Sequence, residues 1–117
     1  MGLDLRLLPF DAEGSIKFAH TVLDVWRRSE LWDAIDALPQ RAAPEDFSSF
    51  VATAADGDLR YGVMDVDAYG EPLMTTTAGD LSTLWLHPGV RDNNKNRAIW
   101  DYLAALPPET RVALDWH

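Results

Sequence analysis

The sequence predicts an α+β fold: a mixed or mainly antiparallel sheet with about three helices packed mostly on one face. Three observations carry that expectation. Apolar residues alternate with polar ones at both ends of the chain, as Leu3-Asp4-Leu5-Arg6-Leu7 and as Val112-Ala113-Leu114-Asp115-Trp116, the period of two that a strand presents. Two segments space their apolar residues at helical intervals, Leu31-Ile35-Leu38 and Ile99-Leu103-Leu106. Glycine- and proline-bearing turns separate these segments. At 117 residues the chain suits a single domain spanning 1–117, since domain sizes peak at about 100–150 residues.

The elements follow in order. Gly2 to Pro9 predicts a strand buried on one face, and Ile16 to Val25 a second one after a turn around Gly14. Ser29 is placed to cap a first helix that Pro39 stops. The stretch from Pro39 to Asp46 reads as a loop. Phe47 to Ala54 and Leu59 to Val66 flank Asp56-Gly57, a dipeptide suited to a tight hairpin. After the Tyr69-Gly70-Glu71-Pro72 turn, Leu73 to Thr76 is short and β-prone. Thr77 with Asp80 approximates a capping box for a short helix, which His87-Pro88-Gly89 is expected to end. A longer helix runs from about Asp92 to Pro107-Pro108, and Arg111 to Trp116 closes the sheet.

Composition narrows the function classes. With 47% apolar and 25% charged residues, the chain belongs with ordinary globular proteins rather than disordered or membrane ones. It has no cysteine, so neither a disulfide framework nor a thiolate metal site is expected. The Met1–Arg6 segment holds both an acid and a base and makes no signal peptide or membrane span. These features predict a cytoplasmic protein without a membrane partner. The five tryptophans each require either burial with a hydrogen-bond partner or a place on a binding surface.

The formal net charge of −9 opposes direct binding to a nucleic-acid backbone. The acids Glu45, Asp46, Asp56, Asp58, Asp65, Asp67, Glu71 and Asp80 crowd between Ala42 and Val90, where Arg60 is the lone base. That segment reads either as a solvated face or as a docking surface for a basic partner.

Chemistry-bearing motifs are few. His20, His87 and His117 lack metal-ligand spacing, and neither a metal nor a cofactor is expected. Asp65-Val66-Asp67-Ala68-Tyr69-Gly70 opens like a calcium loop, but Tyr69 stands at the fifth position and Thr76 where the bidentate glutamate belongs. The serines lack a glycine-framed elbow and there is no phosphate-binding glycine loop, so no catalytic residue is assigned. Arg91, Lys95 and Arg97, set among Asp92, Asn93, Asn94 and Asn96, form a basic, amide-rich patch. Together with His20 and His117 they are the candidate ligand or anion contacts. A fold that brings Arg27-Arg28 to this patch would join the two into one cationic surface.

The opening Gly2-Leu3-Asp4-Leu5-Arg6-Leu7-Leu8-Pro9-Phe10, the Tyr69-Gly70-Glu71-Pro72-Leu73 turn and the tail from Asn94 to Trp116-His117 resemble a family of small, uncharacterised bacterial and phage proteins. The resemblance implies a phage or mobile-element setting and transfers no mechanism. It favours a non-enzymatic accessory protein that binds, and in some settings inhibits, a host protein such as a defence or nucleic-acid-processing complex. The expected docking residues are Asp56, Asp58, Tyr61, Asp65, Asp67, Tyr69 and Trp85. Two other readings remain: a small enzyme or ligand-binding domain with a site gathered from His20, Arg97 and His117, and a self-assembling protein that pairs copies of itself through exposed tryptophans.

Overall fold

The structure, a computed structural model, describes residues 4–11, 17–49, 62–63 and 65–117. Its centre is a five-stranded antiparallel sheet in the order β3-β1-β8-β7-β4, built from β1 (Leu5–Phe10), β3 (Leu23–Val25), β4 (Arg41–Ala42), β7 (Met74–Thr77) and β8 (Arg111–Trp116). A smaller sheet orders β2 (Lys17–Phe18), β5 (Phe47–Ser49) and β6 (Gly62–Val63) as β2-β5-β6, parallel in its first pair and antiparallel in its second. Four helices complete the described elements: α1 (Ser29–Asp36), α2 (Ala78–Ser82), α3 (Pro88–Arg91) and α4 (Asn94–Ala104).

The pairing register assigns side chains to faces, because residues directly opposite in an antiparallel ladder point the same way. Leu5 and Leu7 of β1 stand opposite Trp116 and Leu114 of β8, and opposite Val25 and Leu23 of β3. This inner face carries the helices: Leu31, Trp32 and Ile35 of α1, Leu81 of α2, Val90 of α3 and Ile99, Trp100 and Leu103 of α4 join the strand residues in one buried cluster. Trp32 meets Trp116 edge-on, with ring centroids 5.7 Å apart. The Trp100 indole donates to the Leu81 carbonyl at 2.8 Å, which satisfies its polar atom inside the core.

The outer face departs from expectation. Alternation in β1 and β8 predicts one buried face, yet Leu8 and Phe10 are buried together with Ala113, Phe47, Leu73 and Ala19 in a second cluster. The Phe10 and Phe47 rings lie 4.7 Å apart. Phe47 of β5 packs on this side of the main sheet, and Arg111 and Asp115, which the alternation assigns to water, are also buried there, at 9% and 3% exposure.

Other local readings are corrected. The predicted second strand divides into β2 and β3, which serve different sheets. Ser29 is the first residue of α1 rather than its cap, and the capping position, Arg28, makes no side-chain cap bond. Pro39 to Asp46 is not wholly loop, since Arg41 and Ala42 pair with Thr75 and Met74. His87-Pro88-Gly89 starts a helix instead of only ending one: the His87 Nδ1 accepts the Gly89 N–H at 2.9 Å and Pro88 takes the first turn, where its missing N–H costs nothing. A Cβ at Gly89 would come within 2.8 Å of the Leu31 Cβ, so glycine lets α3 close on α1. Thr77 caps α2 by accepting the Asp80 N–H at 3.0 Å, as predicted. The strands flanking the predicted hairpin do pair, Ser48 with Val63; its Asp56-Gly57 turn lies outside the described residues. Among the described residues no helix is long and apolar enough to cross a membrane.

Candidate functional site

The acidic segment contributes a tightly built turn. Val66 bridges to Pro72, the Leu73 N–H donates to the Asp65 carbonyl at 3.0 Å, and the Asp67 N–H to the Glu71 carbonyl at 2.9 Å. The Asp67 carboxylate accepts the N–H groups of Tyr69 and Glu71 at 2.8 and 3.1 Å. This is the local bonding by which aspartate shapes turns. Gly70 adopts a φ of +78°, which glycine takes without strain. The Ala68 N–H reaches the Trp116 carbonyl and ties the turn to β8. Tyr69 is 52% exposed, and Asp65 and Glu71 are exposed on either side of it.

Asp67 therefore spends its carboxylate on backbone donors. Among the described residues no group of three or more histidine, aspartate or glutamate side chains is arranged to hold a metal ion. Asp56, Asp58 and Tyr61 lie outside the described residues. Trp85 is 38% exposed and belongs elsewhere, in a groove of about 310 Å³ shared with Ser82, Trp100, Asp101 and Ala104. No residue of the acidic turn lines that groove.

The candidate ligand contacts do not converge on one place. His20 is exposed, outside any strand, with its Nε2 3.1 Å from the Asp11 carboxylate. Arg91 sits 3.6 Å from Asp92, and Arg97 is exposed on α4. Lys95 and His117, in contrast, share a cleft of about 410 Å³ with Arg27 and Trp26. The cleft thus brings part of the Arg27-Arg28 pair to part of the α4 patch, although Asp4 and Asp24 also line it.

The amides around Lys95 are structural. Asn93 caps α4 by accepting the Asn96 N–H at 3.0 Å. Asn96 is fully buried; its Oδ1 accepts the Trp26 N–H at 2.7 Å, and its Nδ2 donates to the Trp26 and Gly89 carbonyls at 3.0 and 2.8 Å. These two amides satisfy backbone groups of Trp26, Gly89 and Asn96 at the start of α4. Trp26, 61% exposed, is consequently held at its backbone on both sides.

Two charged assemblies were not foreseen. At one end of the outer face, Asp24, Arg6 and Asp115 stand in one cross-strand row. The Arg6 Nε is 3.7 Å from Asp115 and makes no hydrogen bond. Burial pushes the Asp115 carboxyl above the usual carboxylate range, against the opposing pull of Arg6. At the other end, Arg111 donates from Nε and Nη2 to the Thr75 hydroxyl and from Nη2 to the Thr75 carbonyl at 3.0 Å. The Thr75 hydroxyl in turn donates to the Arg41 carbonyl at 3.0 Å. The sequence signal for both assemblies was a charged residue inside each terminal strand; what hid it was the covered outer face.

No protein-family model, curated protein or solved structure matches the chain.

Proposed function

We propose that this chain is a non-enzymatic binding protein of phage or mobile-element type that docks on a basic surface of a host protein. The observation that carries the reading is the 65–72 turn: Tyr69 stands between two exposed carboxylates on a backbone held by side-chain and backbone hydrogen bonds. A fixed aromatic anchor loses little conformational freedom on binding, and carboxylates beside it steer a cationic partner and exclude anionic ones. The chain's −9 charge extends that steering beyond the turn.

The test uses a tagged chain expressed in a phage-susceptible host, with co-purifying proteins identified by mass spectrometry at low and high salt. The expected result is a stoichiometric partner with a basic surface that high salt releases. The Asp65→Asn/Tyr69→Ala/Glu71→Gln variant, which spares Asp67 and so keeps the turn, should lose it. Retention of the same partner by that variant would sink the proposal.

A further inference from the structure

We propose that the outer face of the main sheet carries a binding site for the phosphate group of a small molecule, formed by Arg41 and Arg111. The two side chains line a cavity of about 260 Å³ with Phe10, Ala42, Pro44 and Thr75. Register places them there. Arg41 stands opposite Thr75, Thr75 opposite Ala113, and Arg111 one face-position further along β8, so both arginines project from the same side.

The charge in this cavity is unbalanced. A buried guanidinium is costly unless an anion accompanies it. Arg111 is buried, yet among the described residues neither it nor Arg41 forms an ion pair. Thr75 engages Nε and Nη2 of Arg111 and leaves Nη1 as the nitrogen without a protein acceptor among the described residues. Thr75 thereby fixes the plane of the guanidinium, as a preorganised anion site requires. A second cation then faces it, in a chain that has acids to spare. Burial and the neighbouring Arg41 both draw the Arg111 guanidinium below its ordinary value, and Asp80 alone acts in the other sense.

The ligand's chemistry follows. The fork of the Arg41 guanidinium and the remaining Nη1 of Arg111 bring two positive charges and a set of donors to the oxygens of one phosphate. One carboxylate neutralises only one of them. The cavity falls below the roughly 300–1,000 Å³ of whole small-molecule sites, so it takes the anionic end of a ligand, and Phe10 and Pro44 give an apolar wall to what is attached. This inference does not depend on the Tyr69 docking reading, since the 65–72 turn contributes nothing to the cavity.

The experiment titrates the full chain with inorganic phosphate, phenyl phosphate and acetate at constant ionic strength set with sodium chloride, following amide NMR shifts and thermal midpoint. Phosphate is expected to raise the midpoint beyond matched chloride and to shift the Thr75 and Arg111 amides. Arg41→Glu, which places a carboxylate in the cavity beside Arg111, should weaken phosphate binding at least tenfold without lowering the ligand-free midpoint. Tighter binding of phenyl phosphate would identify a phosphate monoester as the ligand; equal binding would identify the free ion, and both results support the site. Acetate binding as tightly as phosphate, an unchanged response in Arg41→Glu, or shifts confined to the Arg27–Lys95 cleft would overturn it.

Discussion

Asp115 and Arg111 occupy the same face of the same strand, both buried, yet their surroundings differ in kind. Asp115 has a cation beside it: Arg6 stands opposite on β1, with Asp24 beyond it in the same row. Arg111 has a hydroxyl, a carbonyl and a second cation, with Asp80 acting on it but forming no ion pair. Between them lies the apolar stretch of Leu8, Ala113, Phe10 and Phe47. The difference teaches that burial alone does not classify a charged residue. A buried acid with a cation 3.7 Å away is partly compensated by the fold, whereas a buried cation held by dipoles, with another cation near it and the Asp80 carboxylate acting on it without an ion pair, is left less compensated.

The separation of the two ends depends on the aromatic contact in the middle, and breaking it gives the largest expected effect. Phe47→Ala removes a fully buried ring and should cost about 3–5 kcal/mol, read as a lowered urea midpoint. A loss below about 1 kcal/mol would show that the outer cluster is not a packed core.

Arg6→Met sharpens the comparison by removing the cation that accompanies Asp115 while keeping the aliphatic stem. It should cost about 2 kcal/mol at pH 7, less than for an ideally hydrogen-bonded buried pair because the separation is long. Its pH dependence follows from the raised Asp115 carboxyl. A folded-state value above the unfolded one means that the folded form binds the proton more tightly, so stability is greatest below the unfolded value of about 3.9 and declines as pH rises through the folded value. Removing Arg6 raises the folded value further. The Arg6→Met deficit should therefore be full at neutral pH and vanish near pH 3; a deficit independent of pH would assign Arg6 to packing instead.

The smallest effect belongs to the cationic end. Arg41→Gln alters an exposed side chain and should change stability by less than about 0.5 kcal/mol in the same denaturation experiment without phosphate. A larger loss would make Arg41 part of the scaffold.

Much of the architecture was legible where local chemistry is self-contained. The Thr77 cap, the Ile99-Leu103 face of α4 and the terminal strands each follow from residues a few positions apart. What failed needed distant information. Nothing in Lys17 to Val25 says that its two halves join different sheets, and nothing near β1 or β8 says that β5 covers their outer face. For the same reason Arg111 read as a surface residue. His87-Pro88-Gly89 failed differently, because proline is as much a starter of helices as a stopper, and only the Leu31 contact decides between them. The candidate contacts were legible as residue types but not as a set: of the five, the fold unites Lys95 and His117.

The position of β8 between β1 and β7 has a kinetic consequence. Leu8 pairs with Ala113, so the middle of the sheet joins strands from opposite ends of the described chain, and the entropy of closing the long loop between them is spent before those contacts return anything. A nascent chain that has not yet released β8 from the ribosome holds β1 and β7 without their common neighbour. The sheet is therefore assembled only once β8 has emerged.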